Sequence, residues 1–336
     1  MRRCDIIIPV WNQLEHTRDC IESIRKNTSG IDYGLIIIDN ASDERTISYL
    51  ASIKDPKASL IRNEKNIGFV KAANRGMAAS RAQFLCILNN DTIVARDWLA
   101  IMINVANRYN DIGIVNPSSN NLGQKPGDNE SIESFASGLR PLSDKFIELG
   151  SAVGFCMLIK RAVIERIGYF DEIYGMGNFE DTDFSRRAIK EGYRCVRACG
   201  AYVHHREGAS FAHFNGRDEN FRRNREIYEF RWGKPKRVAY VLDSCDANTS
   251  KMLETSAVKL ARGGNWVWYF LKGHLAVPPH SNITAVEIGA DNFYLDTVFR
   301  ILKKKKRFDE IYVGGERLFG ILKGLSFIHK AKVERL

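Results

Sequence analysis

The sequence contains the stretch Phe84-Leu85-Cys86-Ile87-Leu88-Asn89-Asn90-Asp91-Thr92. It is a short apolar run, typical of a buried strand, that stops abruptly at two amides and a carboxylate. In an open α/β sheet, ligands bind at the carboxyl ends of the strands. Carboxylate and amide groups at such an end can hold a divalent ion and a nucleotide. We therefore expect the chemistry directly after this strand.

Two earlier apolar runs end in the same way. The run DIIIPV at residues 5–10 leads into Asn12, and the run LIII at residues 35–38 leads into Asp39. Helical spacing follows each strand, for example over residues 17–26. Continuous apolar strands that alternate with helices predict a parallel sheet covered on both faces. The polar residues at the strand ends would then line one crevice.

Each polar strand end also has a simpler explanation. Pro9 can merely end its strand, and Asn40 or Ser42 can cap the following helix. For a single strand the two explanations are balanced. Three successive strands with polar ends favour a nucleotide site.

Length and composition predict an intracellular enzyme with more than one domain. The chain has 336 residues, which exceeds the size at which one hydrophobic core usually stops growing. The hydrophobic fraction of 44% and the charged fraction of 27% are ordinary for a soluble protein. No apolar run reaches about 18 residues, so we predict no membrane span. The first strand begins within five residues of the start, which leaves no room for a signal peptide.

The cysteines predict no disulfide framework. Their number, seven, is odd and they are scattered along the chain. Cys195 and Cys199 lack partners at the spacing of zinc ligands. A reducing cytoplasm is the simplest setting.

The formal net charge of +10 raises nucleic acid, anionic lipid and phosphorylated substrates as partners. The densest basic run is KKKKR at residues 303–307. Its simplest explanation is the solvated end of a helix, where cations are favourable. No zinc-finger spacing or RNA-recognition motif accompanies it, so we predict no nucleic-acid partner. Peripheral association with an anionic membrane surface fits better.

A series of short motifs follows in order over residues 4–215. They are PVWN (9–12), IDNAS (38–42), NIGF (66–69) with Asn74, LNNDT (88–92), GFCMLIKR (154–161), IGYFDE (167–172), FEDTDF (179–184) and HREGAS (205–210). Each is weak alone, but the ordered series is specific. It resembles family 2 glycosyltransferases of the GT-A fold, and most of all their rhamnosyltransferase-like bacterial members. The resemblance implies an α/β fold with a mainly parallel central sheet.

The resemblance implies roles for individual residues in binding a nucleoside-diphosphate sugar. Asp39 matches the acid that holds the nucleobase or ribose, and Asn12 lies in the loop beside the base. Asn66 and Gly68 match the turn under the ribose and first phosphate. The expected donor-binding residues are Pro9, Asn12, Asp39, Asn66, Gly68, Asn74, Asn89 and Asn90.

Asp91 and His205 are the metal ligands that the resemblance implies. Asp91 matches the last acid of the DXD motif, and His205 matches a histidine that also binds the metal in some relatives. The first acid of the motif is Asn89 here, so the diphosphate and water would complete the shell of Mg²⁺ or Mn²⁺. Metal affinity without nucleotide should be poor. A structural role for His205 is the alternative, and its spacing to Gly208 and Ser210 favours the metal.

Asp181 and Glu180 match the acidic pair from which the family draws its catalytic base. A sugar hydroxyl is a poor nucleophile until a positioned carboxylate takes its proton. One base and one in-line step invert the anomeric centre, and we favour Asp181 over Glu180. As a structural alternative, Asn178 caps this helix with Asp181 returning a hydrogen bond, and Asp183 pairs with Arg187.

Residues 116–143 are rich in Ser, Asn, Gly and Pro and are predicted to form a loop. The loop is too long for a mere connection. It is either a lid or acceptor surface, or an ordinary mobile insertion.

The sequence changes character after residue 232. We predict a GT-A glycosyltransferase domain at residues 1–232, a linker at 233–236 and a smaller Rossmann-like α/β domain at 237–336. The last segment resembles the opening half of a GT-B glycosyltransferase lobe, so it is either truncated from a longer protein or a docking module. It lacks a GxGxxG turn, which argues against a dinucleotide cofactor.

The resemblance implies an inverting transferase that uses a UDP- or dTDP-linked sugar. The acceptor would be a hydroxyl of a glycan or lipid-linked saccharide, in cell-surface polysaccharide biosynthesis at the inner face of the cytoplasmic membrane. A sugar-nucleotide pyrophosphorylase is disfavoured, because PVWN stands where its Gly-rich loop would lie. A non-catalytic nucleotide-sugar or glycan-binding scaffold with an inherited GT-A fold stays open because of Asn89.

Overall fold

The computed structural model describes residues 2–206, 217–244, 246–274 and 276–336. The chain divides into two compact units. The first comprises Met1–Ile147 and Ser151–Trp232, and the second comprises Glu148–Gly150 and Gly233–Leu336. Each unit has its own sheet and its own hydrophobic core.

The first unit is built on a sheet that has nine strands within the described residues. The strands are β1 (Cys4–Val10), β2 (Tyr33–Asp39), β3 (Ala58–Arg62), β4 (Phe84–Leu88), β5 (Thr92–Val94), β6 (Ile112–Ser118), β7 (Phe146–Leu149), β8 (Cys156–Lys160) and β9 (Arg194–His205). Their order is β3-β2-β1-β4-β8-β6-β9-β5, with β7 beside β9. Strands β1 to β4 pair in parallel, whereas β8 runs antiparallel to both β4 and β6. The predicted α/β class with a mainly parallel sheet is confirmed.

Helices follow most strands of this unit. They are α1 (Leu14–Asn27), α2 (Glu44–Ala51), α3 (Phe69–Ala79), α4 (Trp98–Arg108), α5 (Ile132–Leu139), α6 (Arg161–Ile167), α7 (Glu180–Lys190) and α8 (Arg217–Trp232). The helix predicted over residues 17–26 lies inside α1. Its buried residues Thr17, Cys20, Ile21 and Ile24 recur at helical spacing and face the sheet core.

The central strands bring their polar ends to one edge. Their apolar residues are almost completely buried, and the many β-branched side chains suit such strands. In the parallel register Val10 lies opposite Asp39, and Ile7 lies opposite Ile87. The segments that leave β1, β2 and β4 therefore emerge at the same edge of the sheet.

The segment at residues 116–143 is a loop only in part, chiefly over residues 123–131, so this prediction is partly wrong. Residues 116–118 end β6, and α5 forms part of the remainder. The Ser131 hydroxyl caps α5 by accepting a hydrogen bond from the Ser134 amide at 3.1 Å. Apolar residues of α5 at helical spacing pack around Tyr202, which stabilises the helix.

The second unit has a five-stranded, all-parallel sheet in its described part. Its elements are β10 (Arg237–Leu242), α9 (Ala247–Arg262), β11 (Trp266–Lys272), β12 (Ile283–Ile288), α10 (Phe293–Lys303), β13 (Glu310–Val313), α11 (Glu316–Gly324), α12 (Ser326–His329) and β14 (Lys332–Arg335). The strand order is β12-β11-β10-β13-β14. This order, 3-2-1-4-5, is that of the first five strands of a six-stranded Rossmann-type sheet. Throughout the described parts of both units, no helix is long and apolar enough to span a bilayer.

Candidate active site

Asp39 lies at the end of β2 and is 1% exposed. Its Oδ1 accepts a hydrogen bond from the Ser42 amide at 2.9 Å, and its Oδ2 lies 3.6 Å from Arg62 Nε. Asn12, after β1, has a positive φ of 57°. The Asn12 amide donates to Ser42 Oγ at 2.9 Å, and its Oδ1 accepts from the Asp43 amide at 2.7 Å. These bonds tie the loops after β1 and β2 together.

Asn40 organises the turn that precedes α3. Its Nδ2 donates to Asn66 Oδ1 at 2.7 Å, and its Oδ1 accepts from the Ile67 amide at 3.0 Å. Asn66 Oδ1 also accepts from the Gly68 amide at 2.9 Å. Gly68 has a φ of 85°, and a Cβ there would lie 2.8 Å from the Gly175 carbonyl oxygen. Only glycine fits this close approach, which brings the turn against the glycine-rich segment before α7.

Asp91 and His205 meet beyond the end of β4. His205 is the last residue of β9, and the antiparallel pairing of β5 with β9 sets it opposite Thr92. His205 Nε2 lies 3.0 Å from Asp91 Oδ1 and 3.5 Å from Asn89 Nδ2. The His205 ring stacks on Phe155 with a centroid separation of 5.2 Å.

This cluster fits a divalent cation. Asn89 Oδ1 is buried without a hydrogen-bond partner in the described structure, so an amide oxygen is free beside the carboxylate and the imidazole. Across the ranges described, no group of three or more His, Cys, Asp or Glu is placed to hold a metal ion. A cation at Asp91 and His205 would need further oxygen ligands, which a diphosphate and water can provide.

Asp181 lies in the first turn of α7. Its Oδ2 accepts from the Gly154 amide at 2.8 Å, and its Oδ1 accepts from the Thr182 amide at 2.6 Å. Gly154 precedes β8, which pairs antiparallel with β4, and the Asn89 amide donates to the Phe155 carbonyl at 2.8 Å. Asp181 is therefore positioned beside the end of β4, at the edge that carries Asp91.

The structural alternative for this helix is only partly correct. Phe179, with a φ of 72°, occupies the cap position, and the Asp181 carboxylate bonds to Gly154 and Thr182, so Asn178 does not cap α7. The predicted pair of Asp183 with Arg187 is present at 2.9 Å.

Burial affects the pKa values of Glu180 and Asp181, two adjacent acids of α7, to different extents. Burial and, to a smaller extent, the neighbouring Asp181 charge together raise the pKa of Glu180 to about 8. Glu180 Oε2 is buried without a partner among the described residues. Burial also raises the pKa of Asp181, but hydrogen bonds from Gly154 and Thr182 oppose this shift by stabilising its carboxylate. At neutral pH Glu180 is therefore mainly protonated, and Asp181 is the acid that ionises more readily.

Two other expected donor-site residues, Asn74 and Asn90, make structural contacts. Asn74 binds both backbone polar groups of Phe170, at 2.9 and 3.1 Å, and so fastens that segment to α3. Asn90 Nδ2 donates to Thr17 Oγ1 at 2.9 Å. Pro9 lies within β1. Gly208 and Ser210, from which a role for His205 was predicted, lie outside the described residues.

Several asparagines that support the site were missed in the sequence. Asn116 Nδ2 donates to the Val153 carbonyl at 2.8 Å, which holds the segment before β8. Asn224 Nδ2 donates to the Tyr174 and Gly177 carbonyls at 2.8 Å, which fastens the segment before α7. Asn116 could have been noticed as a polar residue in a buried strand. Nothing in the sequence near Asn224 points to its role.

Part of the chain that contributes to this site matches a known protein family. Residues 5–168 match the model of the family described as Glycosyl transferase family 2. The N-terminal unit belongs to glycosyl transferase family 2. The match begins in β1 and reaches the end of α6, so this family 2 domain includes Asp39 and Asp91.

Curated relatives share parts of this chain. An uncharacterised protein, y4gI of Sinorhizobium fredii, is 26% identical over 246 residues, which cover 66% of this chain and 26% of the relative. The succinoglycan biosynthesis protein ExoO of Rhizobium meliloti is 29% identical over 97 residues, which cover 29% of this chain and 28% of the relative. The chain thus spans about a quarter of the length of these relatives.

Solved glycosyltransferase structures share the GT-A fold. The mannosyltransferase PcManGT of Pyrobaculum calidifontis, in complex with GDP-Man and Mn²⁺, has a TM-score of 0.53 at 20% identity. That alignment covers 69% of this chain and 65% of the other. S. aureus TarS 1–349 with UDP-GlcNAc has a TM-score of 0.52 at 13% identity and coverages of 75% and 71%. At these identities the likeness establishes the fold.

Proposed function

We propose that this family 2 glycosyltransferase moves a sugar from a nucleoside-diphosphate sugar to a hydroxyl of a glycan or lipid-linked saccharide, with inversion. The observation that carries the proposal is the 3.0 Å contact of Asp91 with His205 at the sheet edge to which Asp39 and Asp181 also belong. Cell-surface polysaccharide biosynthesis is the proposed setting, and the succinoglycan biosynthesis relative supports it.

The donor side of the proposed site uses the ends of β1, β2 and β4. Asp39 would bind the nucleobase or ribose of a UDP- or dTDP-linked sugar, and the Asn66–Gly68 turn would lie under the ribose and phosphate. Asp91, His205 and the free Asn89 Oδ1 would hold Mg²⁺ or Mn²⁺. When bound, the ion supplies a Lewis acid for the departing diphosphate.

Asp181 is the proposed catalytic base. The backbone amides of Gly154 and Thr182 orient its carboxylate. Oδ1 also accepts from Thr182 Oγ1 at 3.1 Å, so Oδ2 is the oxygen that keeps a lone pair for the acceptor hydroxyl. Its raised pKa makes it a stronger base than an exposed aspartate. Glu180, mainly protonated at neutral pH, would keep the local charge low and so allow Asp181 to ionise.

We further propose that the second unit attaches to the inner face of the cytoplasmic membrane. On α10, Leu295 and Phe299 are 78% and 58% exposed at i, i+4 spacing, and the basic run 303–307 follows directly. An apolar helix face beside cations suits an anionic lipid surface. Vesicles rich in phosphatidylglycerol should sediment the wild type, and Phe299→Asp should reduce this binding, whereas Met252→Asp on α9 should not. Equal binding to uncharged vesicles would contradict the proposal.

Release of nucleoside diphosphate from a panel of nucleotide sugars tests the proposed function. We expect slow, metal-dependent release from one UDP- or dTDP-linked donor, with faster release when an acceptor is added. Thermal stability should identify the same donor, because a ligand at about 100 times its Kd adds about 2.7 kcal/mol to the free energy of unfolding. Binding without release, under any metal and with plausible acceptors, would favour the scaffold that Asn89 leaves open.

A further inference from the structure

A groove on the first unit lies between α8 and the short 3-10 helix Glu172–Tyr174. Its volume is about 470 Å³, and its apolar lining comes from Ile173, Ile227 and Phe230. Phe230 is 96% exposed, more than any other large apolar side chain within the described residues. Contiguous apolar surface that stays in contact with water is typical of a binding surface.

Charged side chains hold this groove in shape. Glu226 and Arg231 complete its wall. Arg231 donates to Asp171 and to Asp183, both at 2.8 Å, and so fastens the end of α8 to the segment before α7. The groove is therefore formed before any ligand binds, and Arg231 is already engaged by two carboxylates and is not available to bind another anion.

Helix α8 connects the groove with the approach to the proposed catalytic base. Asn220 and Asn224 donate to the Gly177 carbonyl at 3.0 and 2.8 Å, and Gly177 lies four residues before Asp181. Asn224 also donates at 2.8 Å to the carbonyl of Tyr174, the last residue of the 3-10 helix. The first half of α8 thus lies against the segment that leads to the base, and its last turns reach the groove.

A cation lies between these two places. Arg223, Ile227 and Phe230 follow one another at i, i+4 and i+7, which puts them on one face of α8. Arg223 is exposed and forms no ion pair with a described residue, and its Nη1 donates to the neighbouring Asn224 Oδ1 at 3.0 Å. The helical rise places Phe230 about 10 Å beyond Arg223 along the axis. The order outward from the base is therefore a free guanidinium and then an apolar groove.

We propose that the groove binds the apolar chain of a lipid-linked acceptor, whose phosphate pairs with Arg223 and whose sugar hydroxyl meets Asp181. A saccharide joined through phosphate to an apolar chain has its parts in this same order. Burial of the chain against Ile227 and Phe230 supplies affinity, and the guanidinium pairs with phosphate oxygens. The inference rests on the proposed function and narrows its acceptor to a phosphate-linked lipid.

Binding of simple alkyl phosphates tests the groove and the cation separately. Calorimetry compares octyl phosphate, butyl phosphate and inorganic phosphate on the full chain, with Mn²⁺ and saturating UDP or dTDP present so that the donor site is filled. Phe230→Ser removes the exposed ring, and Arg223→Gln removes the cation. Met252→Ser, an exposed apolar residue of α9, and Arg225→Gln, on the opposite side of α8 from Arg223, are the matched controls.

We expect the wild type to bind octyl phosphate about 10- to 100-fold tighter than butyl phosphate, because four more methylene groups are buried. Phe230→Ser should reduce this ratio by about 10-fold, and its fold should persist because the side chain is almost fully exposed. Arg223→Gln should weaken both alkyl phosphates by about 10-fold and keep their ratio. Both controls should equal the wild type. Octyl phosphate should also inhibit transfer in competition with the acceptor and not with the donor.

Several results would overturn the inference alone. They are equal affinities for octyl and butyl phosphate in the wild type, an unchanged ratio in Phe230→Ser, and binding of octyl phosphate without inhibition of transfer, which would indicate a membrane lipid. A wild-type dimer that Phe230→Ser dissociates would show that a second copy of the chain covers the groove. A wild type that binds neither UDP nor dTDP with Mn²⁺ would instead overturn the proposed function, together with the inference.

Discussion

Asp181→Asn should lower the rate of sugar transfer by about 100- to 10,000-fold, the range that a general base contributes. The asparagine oxygen can still accept the hydrogen bond from the Gly154 amide, which is 2.8 Å from the carboxylate in the wild type, whereas the bond from the Thr182 amide is lost. We therefore expect a folded variant whose free energy of unfolding is lower by about 1 kcal/mol. The amide cannot take a proton from the acceptor hydroxyl. Single-turnover transfer measures the loss, and calorimetry with nucleoside diphosphate and Mn²⁺ should show an unchanged Kd.

Glu180→Gln is the matched control, because it changes the adjacent acid of the same helix turn. Glu180 is mainly protonated at neutral pH, so a neutral amide mimics its working state and should retain most of the transfer. Substantial turnover in Asp181→Asn together with loss of turnover in Glu180→Gln would show that the base is Glu180.

The assignment of Asp181 as the base predicts how kcat depends on pH. The base must be ionised to act, and burial raises the pKa of Asp181 above its ordinary value of 3.8. The kcat should therefore fall as the pH decreases through this raised pKa, at a higher pH than an exposed aspartate would give. A kcat that stays constant down to about pH 4 would contradict the assignment.

Asp91→Asn should remove the metal dependence of donor binding and transfer. Asp91 supplies the carboxylate that lies 3.0 Å from His205 Nε2, and Asn89 offers only an amide oxygen beside it. If the metal stabilises the transition state by about 3 kcal/mol, its loss decreases kcat/KM by roughly 100-fold. Initial rates over a series of Mn²⁺ and Mg²⁺ concentrations measure the effect.

Asp128→Asn controls for the loss of a negative charge, since Asp128 is exposed in the segment before α5. Its rates and metal dependence should equal those of the wild type. Metal stimulation that survives in Asp91→Asn would show that the cation binds elsewhere.

The sequence was sufficient to predict the strands that carry the site. Continuous β-branched runs define β1 and β2, and the apolar run before Asn89 defines β4, so Asp39 and Asp91 could be placed at strand ends. These predictions depend on local pattern and on the geometry of parallel sheets. The ordered motifs then allowed Asp181 and His205 to be named, although both are far from Asp91 in sequence.

The supporting contacts could not be predicted, because they join distant segments. Asn121 meets His205 across 84 residues, and Asn116 reaches Val153 across 37. The polar composition of residues 116–143 led to the prediction of a loop. The apolar side chains of α5 pack against Tyr202, which is distant in the sequence, so this helix could not be predicted from its local pattern. In the second unit, α11, α12 and β14 are short. Their sequence patterns alone do not predict them, because such short elements depend on packing against the rest of the unit.

We propose that Asp39, Asp91 and Asp181 surround one nucleoside-diphosphate site. Crystals grown with Mn²⁺ and the nucleoside diphosphate that raises thermal stability most would test it directly. We expect an anomalous manganese peak within bonding distance of Asp91 and His205, the nucleoside against Asp39 and the terminal phosphate facing Asp181. A nucleotide bound elsewhere on the first unit, with no manganese at Asp91, would contradict the account.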